Sequence, residues 1–405
     1  MPTWPHPESP CLARAVAAHE EAFGEVTATA SAPATWLLIG EHTDHFGGIV
    51  VVGMHAAQLA VAISPRADAT FVVDEHTIAE DFAGYDTSRS TAEGFDVHEQ
   101  AHGPAENAAA RLAGLVHTMM HRQLISRETA GFNVTIVSDI PRRAGLGEQV
   151  AADAAAALAF AASVEELDSP PVRAKLADVC YQSSQAFSPT PQVRARYAAA
   201  LRGQAGALQV IDYADGSITQ APQPFGEATG LSAFVIIPPS AAAFTGELVA
   251  ARAAFIDKAA AAFGAESLRL LPDASTRVID WLRAVHEVLG PEEVPSVEEA
   301  SAWMQFMDLE IAAAAKATVA LRSRKIAELV PLLQASSINL GTLLGLGHDT
   351  AAVQQLCQVR GAVLTRAAEA GSCGSVIAVV PSHRAANFAA DLSADGLGVI
   401  ALSDD

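Results

Sequence analysis

The chain has 405 residues, half of them hydrophobic and 18% charged, which describes a globular protein with room for two domains and excludes a disordered one. Lys and Arg number 25 against 46 Asp and Glu, a formal net charge of -21 that argues against nucleic-acid and anionic-membrane partners. No apolar run reaches the ~18 residues of a membrane span, MPTWPHPESP lacks the basic flank and apolar core of a signal peptide, and Cys11, Cys180, Cys357 and Cys373 form no CxxC pair. These features predict a cytoplasmic protein with reduced thiols and no structural zinc.

Taken in chain order, the apolar spacing of LARAVAAHEEAF (12–23) predicts a helix ending near Gly24. TWLLIG predicts a strand entering an acidic cluster, GIVVVGM and AAQLAVAISPR predict two further strands, and ATFVVDE another. PAENAAARLAGLVHTMMHRQL predicts an amphipathic helix with Glu106 in its first turn. GFNVTIVSDIP is a strand stopped by Pro141, and RRAGLGEQVAADAAAALAFAA a glycine turn opening an Ala-rich helix. LADVCYQSSQAF reads as a helix and ALQVIDY as a strand. The Pro-bearing APQPFGEATG (221–230) is the expected domain boundary. Beyond it come a strand in AFVIIPP and helices in ELVAARAAFIDKAAAAF, SVEEASAWMQFMDLEIAAAAKATVALRS and KIAELVPLLQASS. SVIAVVP is expected to close the strand content, and RAANFAADL is a late helix. Strands and helices interleave without a βαβ rhythm, which indicates α+β.

LLIGEHTDHFGG (37–48) sets Glu, His, Asp and a glycine pair behind a strand, with no Lys or Arg between Ala15 and Pro65. Carboxylates accept paired hydroxyls of a polyol in charge-assisted hydrogen bonds. A turn after a buried strand is a rigid mount for them. The alternative is an Asx-type turn in which Asp44 bonds local amides and Gly47 and Gly48 supply positive φ.

APATWLLIGEHTDHFGG, from Ala32, resembles the signature of galactokinases among the GHMP small-molecule kinases. GELVAARAAF and GSCGSVIAVV resemble later segments of that family in matching order. The resemblance implies an α+β fold of two domains, residues 1–225 and 226–405, each a mixed or antiparallel sheet packed with helices, with a ligand cleft between them. It further implies ATP- and Mg2+-dependent phosphorylation of galactose at the anomeric hydroxyl. Glu41, His42 and Asp44 would then hold the hexose hydroxyls, and Gly145, Leu146 and Gly147 would belong to the nucleotide-phosphate loop.

The departures fall in the catalytic motifs. The family's catalytic Arg corresponds to Thr35. Its catalytic Asp corresponds to Ala195, or to Arg196 with a one-residue gap, and no Asp or Glu occurs from Val179 to Ile211. The serines of the phosphate loop become Gly147, Glu148 and Gln149 in PRRAGLGEQVAA (141–152). A Glu148 carboxylate ~4 Å from a phosphate costs about 4 kcal/mol at an effective dielectric of ~20, whereas in a first helical turn it complements the macrodipole. Arg142 and Arg143 offer charge to a nucleotide, with a solvated turn as their default reading. EAGSCGSV (369–376) keeps Gly371 and Gly374 but places Glu369 among the family's glycines, and the sugar-contacting Tyr is Leu248. His117 and His121, at i, i+4, read as a surface or packed pair, and no metal site is expected.

The expectation is a galactokinase-like protein, impaired or inactive as a kinase, that binds a hexose as a sensor, a regulator with a protein partner, or a degenerate paralogue. An active sugar kinase instead requires a Lys or Arg and a carboxylate relocated beside the 41–44 turn. A pure interaction protein would keep that turn for folding alone.

Overall fold

The computed structural model describes residues 7, 9–79, 82–95, 103–190, 192–239, 246–290 and 294–402. Most of MPTWPHPESP, and Pro191 of the PQVRARYAAALRG segment, lie outside them. Two compact units share the chain. One comprises residues 1–36, 54–205 and 393–400, the other residues 37–53, 206–392 and 401–405.

The first unit holds α1 (Cys11–Phe23), β1 (Ala28–Ile39), the second half of β2 (Ile49–Pro65), β3 (Thr70–Ile78), β4 (Tyr85–Glu93), α2 (Ala108–His121), β5 (Phe132–Ser138), α3 (Glu148–Phe160), α4 (Pro170–Phe187) and α5 (Arg194–Arg202). Its strands run in the order β4-β3-β5-β2, with β3 parallel to β5 and the other two pairings antiparallel. Every residue of β2 from Leu59 to Ala62 is buried, so both faces of the sheet are covered. Cys11 and Ala15 of α1 pack on Ala60, Ala62 and Val137. Every α3 residue from Val150 to Phe160 is buried. Its small alanine side chains let neighbouring elements approach closely at native packing density.

The second unit takes the first half of β2 and adds β6 (Ala207–Asp212) and β7 (Ser217–Pro222), an antiparallel hairpin whose first strand pairs with β2 at residues 49–52. There follow β8 (Leu231–Ile237), α6 (Glu247–Ala262), α7 (Ala274–Leu289), α8 (Val297–Arg322), α9 (Ile326–Leu344), α10 (Ala351–Val359), β9 (Leu364–Ala367), β10 (Val376–Pro381) and most of α11 (Ala385–Ala394), whereas β11 (Gly398–Ala401) falls, all but Ala401, in the first unit. β10 lies antiparallel to both β8 and β9. Phe255, Ile256, Trp303, Phe306, Met307, Leu340 and Leu344 form the core, with Phe46 packed among them. Burying each such side chain contributes roughly 1.5–3 kcal/mol. A capping box, Ser296 with Glu299, starts α8. Among the described residues no helix is long and apolar enough to cross a membrane.

The mixed α+β class stands as the sequence indicates, and three local readings are corrected. GIVVVGM and AAQLAVAISPR form one continuous strand, β2, because the partly exposed stretch 54–58 contains no turn dipeptide and the strand changes partner instead. Helix α2 starts behind Asn107, whose side chain accepts from the Ala110 amide, so Glu106 precedes the cap and no acid occupies the first turn. β11 follows SVIAVVP, which therefore does not close the strand content. Strands β4 and β7 escape sequence reading because YDTSRSTAE and SITQAP lack apolar alternation; they are polar edges.

Candidate functional site

The GEHTD turn, in the second unit, is built around its glycines. Gly40 has φ 90, and a Cβ there would lie 1.8 Å from the Ile49 carbonyl oxygen, so no other residue fits. The Thr43 hydroxyl donates to the Gly40 carbonyl at 2.7 Å and the Gly48 amide to the Thr43 carbonyl at 2.7 Å. From outside the turn, the Ser267 hydroxyl and the Arg269 amide donate to the Phe46 carbonyl at 2.8 and 3.0 Å. His45 pairs with Asp257 at 3.0 Å. Held by these local hydrogen bonds, by Ser267 and Arg269 of the segment after α6 and by the His45–Asp257 side-chain pair, the turn is a rigid mount.

The three candidate sugar ligands divide into two kinds. Glu41 is 1% exposed and forms a buried ion pair with Arg366 of β9, itself 1% exposed. Its carboxylate faces a guanidinium, not solvent. His42 and Asp44 are half-buried. His42 sits at φ 66, a left-handed conformation uncommon outside glycine and enriched at functional sites. Asp44 accepts from the Gly47 amide through its backbone carbonyl at 3.0 Å. No hydrogen bond or ion pair engages its carboxylate among the described residues, so the Asx-turn alternative finds no support.

Beneath the turn lies Glu310 of α8, fully buried. The Gly40 amide and the Ser336 hydroxyl of α9 both donate to its Oε1 at 2.8 Å, while Oε2 is buried with no partner among the described residues. Burial pushes this carboxyl up to about 7, against the pull of the two hydrogen bonds. Burial likewise brings Arg366 down to about 10, which leaves it cationic at neutral pH. Sequence reasoning missed both residues, although each left a signal. Glu310 interrupts a buried helical stripe, Trp303, Met307, Ala314, Ala317 and Leu321. Arg366 stands in a strand whose four residues are all buried.

The other motif positions in this unit are structural or open. Leu248 is 54% exposed in the first turn of α6. Arg252 of the same GELVAARAAF segment is buried, donates to the Leu344 carbonyl at the end of α9, and lies 5.5 Å over the Trp303 ring. Glu369 opens a short 3-10 turn at φ 50, and a Cβ at Gly371 would come within 2.9 Å of Leu346.

The 141–149 segment, read in the sequence as a counterpart of the family's phosphate loop, belongs to the first unit. Arg143, Gly145 and Gly147 all have left-handed φ, 60, 74 and 68, and the Thr35 amide donates to the Leu146 carbonyl at 2.9 Å. Ala195 is fully buried core, whereas its neighbour Arg196 reaches the loop. The Arg196 guanidinium, 1% exposed, donates to the Thr35 carbonyl at 2.5 Å and to the Gly145 carbonyl at 2.8 Å. A Cβ on Gly147 would lie 2.7 Å from both Arg196 Nη1 and Thr35 Oγ1, so the guanidinium fills the space a serine at 147 would need. A cation has thus taken the place beside Thr35, but its donors bind backbone carbonyls.

The remaining polar groups around this loop are also engaged. Gln149 donates to the Ser188 hydroxyl at 2.8 Å. Glu148 lies 4.0 Å from Arg142, which also meets Glu75 at 3.4 Å. The buried acid on α3, Asp153, pairs with Arg111 and accepts from the Tyr197 hydroxyl at 2.7 Å. His117 and His121 meet edge to face with centroids 4.5 Å apart, beside Phe187. Among the described residues no group of three or more His, Cys, Asp or Glu is placed to hold a metal ion.

Residues 17–65 match the galactokinase galactose-binding signature. The structure of Lactococcus lactis galactokinase complexed with galactose is similar over 96% of this chain and 97% of its own, with a TM-score of 0.71 and 16% identity. L. major mevalonate kinase in complex with R-mevalonate is similar over 94% and 97% (TM-score 0.56, 13% identity). Streptococcus pneumoniae phosphomevalonate kinase in complex with phosphomevalonate and AMPPNP is similar over 93% and 99% (TM-score 0.56, 11% identity). No curated protein matches the chain by sequence. Identities this low carry the fold alone; the signature match adds the galactose-binding motif around the GEHTD turn.

Proposed function

We propose that this galactokinase-like chain binds a hexose at the Gly40–Gly48 turn and is impaired or inactive as a kinase. The observation that carries the second half is Arg196. It stands at or next to the position aligned with the family's catalytic carboxylate, and its guanidinium binds the carbonyls of Thr35 and Gly145. A group buried in that way neither removes a proton from a sugar hydroxyl nor reaches a transferring phosphoryl group. No acidic residue lies between Val179 and Ile211 to replace the base.

The magnitudes favour this reading. A positive charge on the transition state is worth ~10³ to 10⁵ in rate, and a general base ~10² to 10⁴. These effects are not additive, so the larger alone is applied. A kinase turning over at ~1–100 per second then falls to between ~10⁻⁵ and 10⁻¹ per second. The loop residues do not fit a Mg2+-nucleotide: Gly147 offers no hydroxyl, Gln149 is engaged with Ser188, and Glu148 sets a carboxylate at the helix N-terminus.

For the sugar, Asp44 and His42 are the direct ligands and Glu41 acts through the ion pair that holds the turn, a narrower set than the motif suggests. Such a protein serves as a sugar sensor or as a regulator with a protein partner. Calorimetric titration with galactose and with Mg·ATP, separately and together, tests this, alongside a coupled phosphorylation assay. Galactose binding with turnover below ~0.1 per second is expected. Turnover near 1 per second restores the active-kinase reading, and no galactose binding at millimolar concentration leaves a turn kept only for folding.

A further inference from the structure

The Gly40–Gly48 turn is held by Glu310, a residue no motif contains. Glu310 is buried on α8, in line with apolar neighbours that pack the core of the second unit. A side chain there that merely filled space would be apolar, since a buried carboxyl costs stability unless its hydrogen bonds are made. Two are made, and both go to one oxygen, from the Gly40 amide and the Ser336 hydroxyl, each at 2.8 Å. Gly40 is the hinge between β1 and the turn, and its backbone is excluded from any other residue by the Ile49 carbonyl. The next residue, Glu41, is pinned separately by Arg366. Backbone and side chain of adjacent residues are thereby fixed from α8 and from β9, with His42 and Asp44 left half-exposed just beyond them.

We infer that Glu310 is a positioning residue for the ligand-binding turn: its Oε1 holds the Gly40 amide so that His42 and Asp44 present a fixed geometry to the ligand. What matters is an acceptor atom at that point, not the carboxylate charge. Glu310→Gln retains an acceptor for both donors. Glu310→Met fills the same volume with an apolar chain and leaves the Gly40 N–H buried and unpaired.

The test compares the full-length protein with these two variants. Hydrogen exchange is followed by mass spectrometry on peptides covering 37–48 and, as a control, 132–138, and galactose affinity is measured by calorimetry. Glu310→Met is expected to speed exchange across 40–48 about tenfold or more and to weaken galactose binding by a similar factor, while the control peptide is unchanged. Glu310→Gln is expected to restore both to within about threefold of the parent. A purely structural role predicts the reverse, because Met suits an apolar core and moves neither readout. Unchanged exchange in Glu310→Met, or no rescue by Gln, overturns the inference. The galactose arm rests on the proposed function and the exchange arm does not. A parent that fails to bind galactose therefore sinks that function while the exchange result still decides the role of Glu310.

Discussion

The Glu41–Arg366 pair permits a sharp energetic test. Each residue is 1% exposed, and the two are separated by 325 residues of sequence. Removing one partner, as Glu41→Met or Arg366→Met, leaves the other charge buried and uncompensated, at a cost of about 3–5 kcal/mol. Removing both substitutes two apolar chains for an ion pair, and such replacements are neutral or stabilising by about 1–4 kcal/mol. The double variant is therefore expected to unfold near or above the parent midpoint although each single variant is crippled. If the two single costs were additive, their sum would be about 6–10 kcal/mol; with a double variant near or above the parent, the cycle should instead report coupling of about 6 kcal/mol or more. Urea unfolding followed by far-UV circular dichroism and tryptophan emission together would measure it and reveal any two-stage transition. Single costs that simply add, within about 0.5 kcal/mol, would refute the claim that these residues form one buried pair.

Three further outcomes are expected. Asp44→Ala should weaken galactose binding at least about tenfold in calorimetry, yet shift the unfolding free energy by no more than about 0.5 kcal/mol, because among the described residues its carboxylate has no partner to lose. Arg196→Met should destabilise the first unit by about 2–6 kcal/mol, as the Thr35 and Gly145 carbonyls each lose a donor at about 1–3 kcal/mol, and loosening of the 141–149 loop should be visible by hydrogen exchange. Glu310 makes stability fall with pH. Its carboxyl is raised from 4.5 to about 7 in the folded protein, so the folded state holds more protons between those values, and up to about 3 kcal/mol is lost as pH rises through that window. Urea midpoints at pH 5 and pH 8 should show this loss in the parent and not in Glu310→Gln.

Much of the fold was legible because it is written in local patterns. Period-3.6 and period-2 hydrophobicity placed most of the helices and the buried strands, and the glycine-flanked GEHTD segment announced a rigid turn. The absent cation at Thr35 was legible too, since it needs only a count of Lys and Arg. Partnership was not legible. Arg196 reaches Thr35 across 161 residues, Glu310 reaches Gly40 across 270, and Arg366 reaches Glu41 across 325. Hydrophobic periodicity says which face a residue takes but not what it meets there. For that reason Glu41, which reads as a sugar ligand in the motif, is found neutralised by an arginine that nothing nearby in sequence predicts.

The interleaving of the two units has a consequence for biosynthesis. The turn leaves the ribosome long before its supports exist: at roughly 5–20 residues per second, about 15–65 seconds separate the emergence of Glu41 from that of Arg366. Through that interval a glutamate destined for an apolar interior stays in water, and the nascent N-terminal segment 37–53 has no scaffold of its own. The Glu41–Arg366 pair can close only after β9 is made, so a chain cut before β9 would leave the 40–48 turn without that partner.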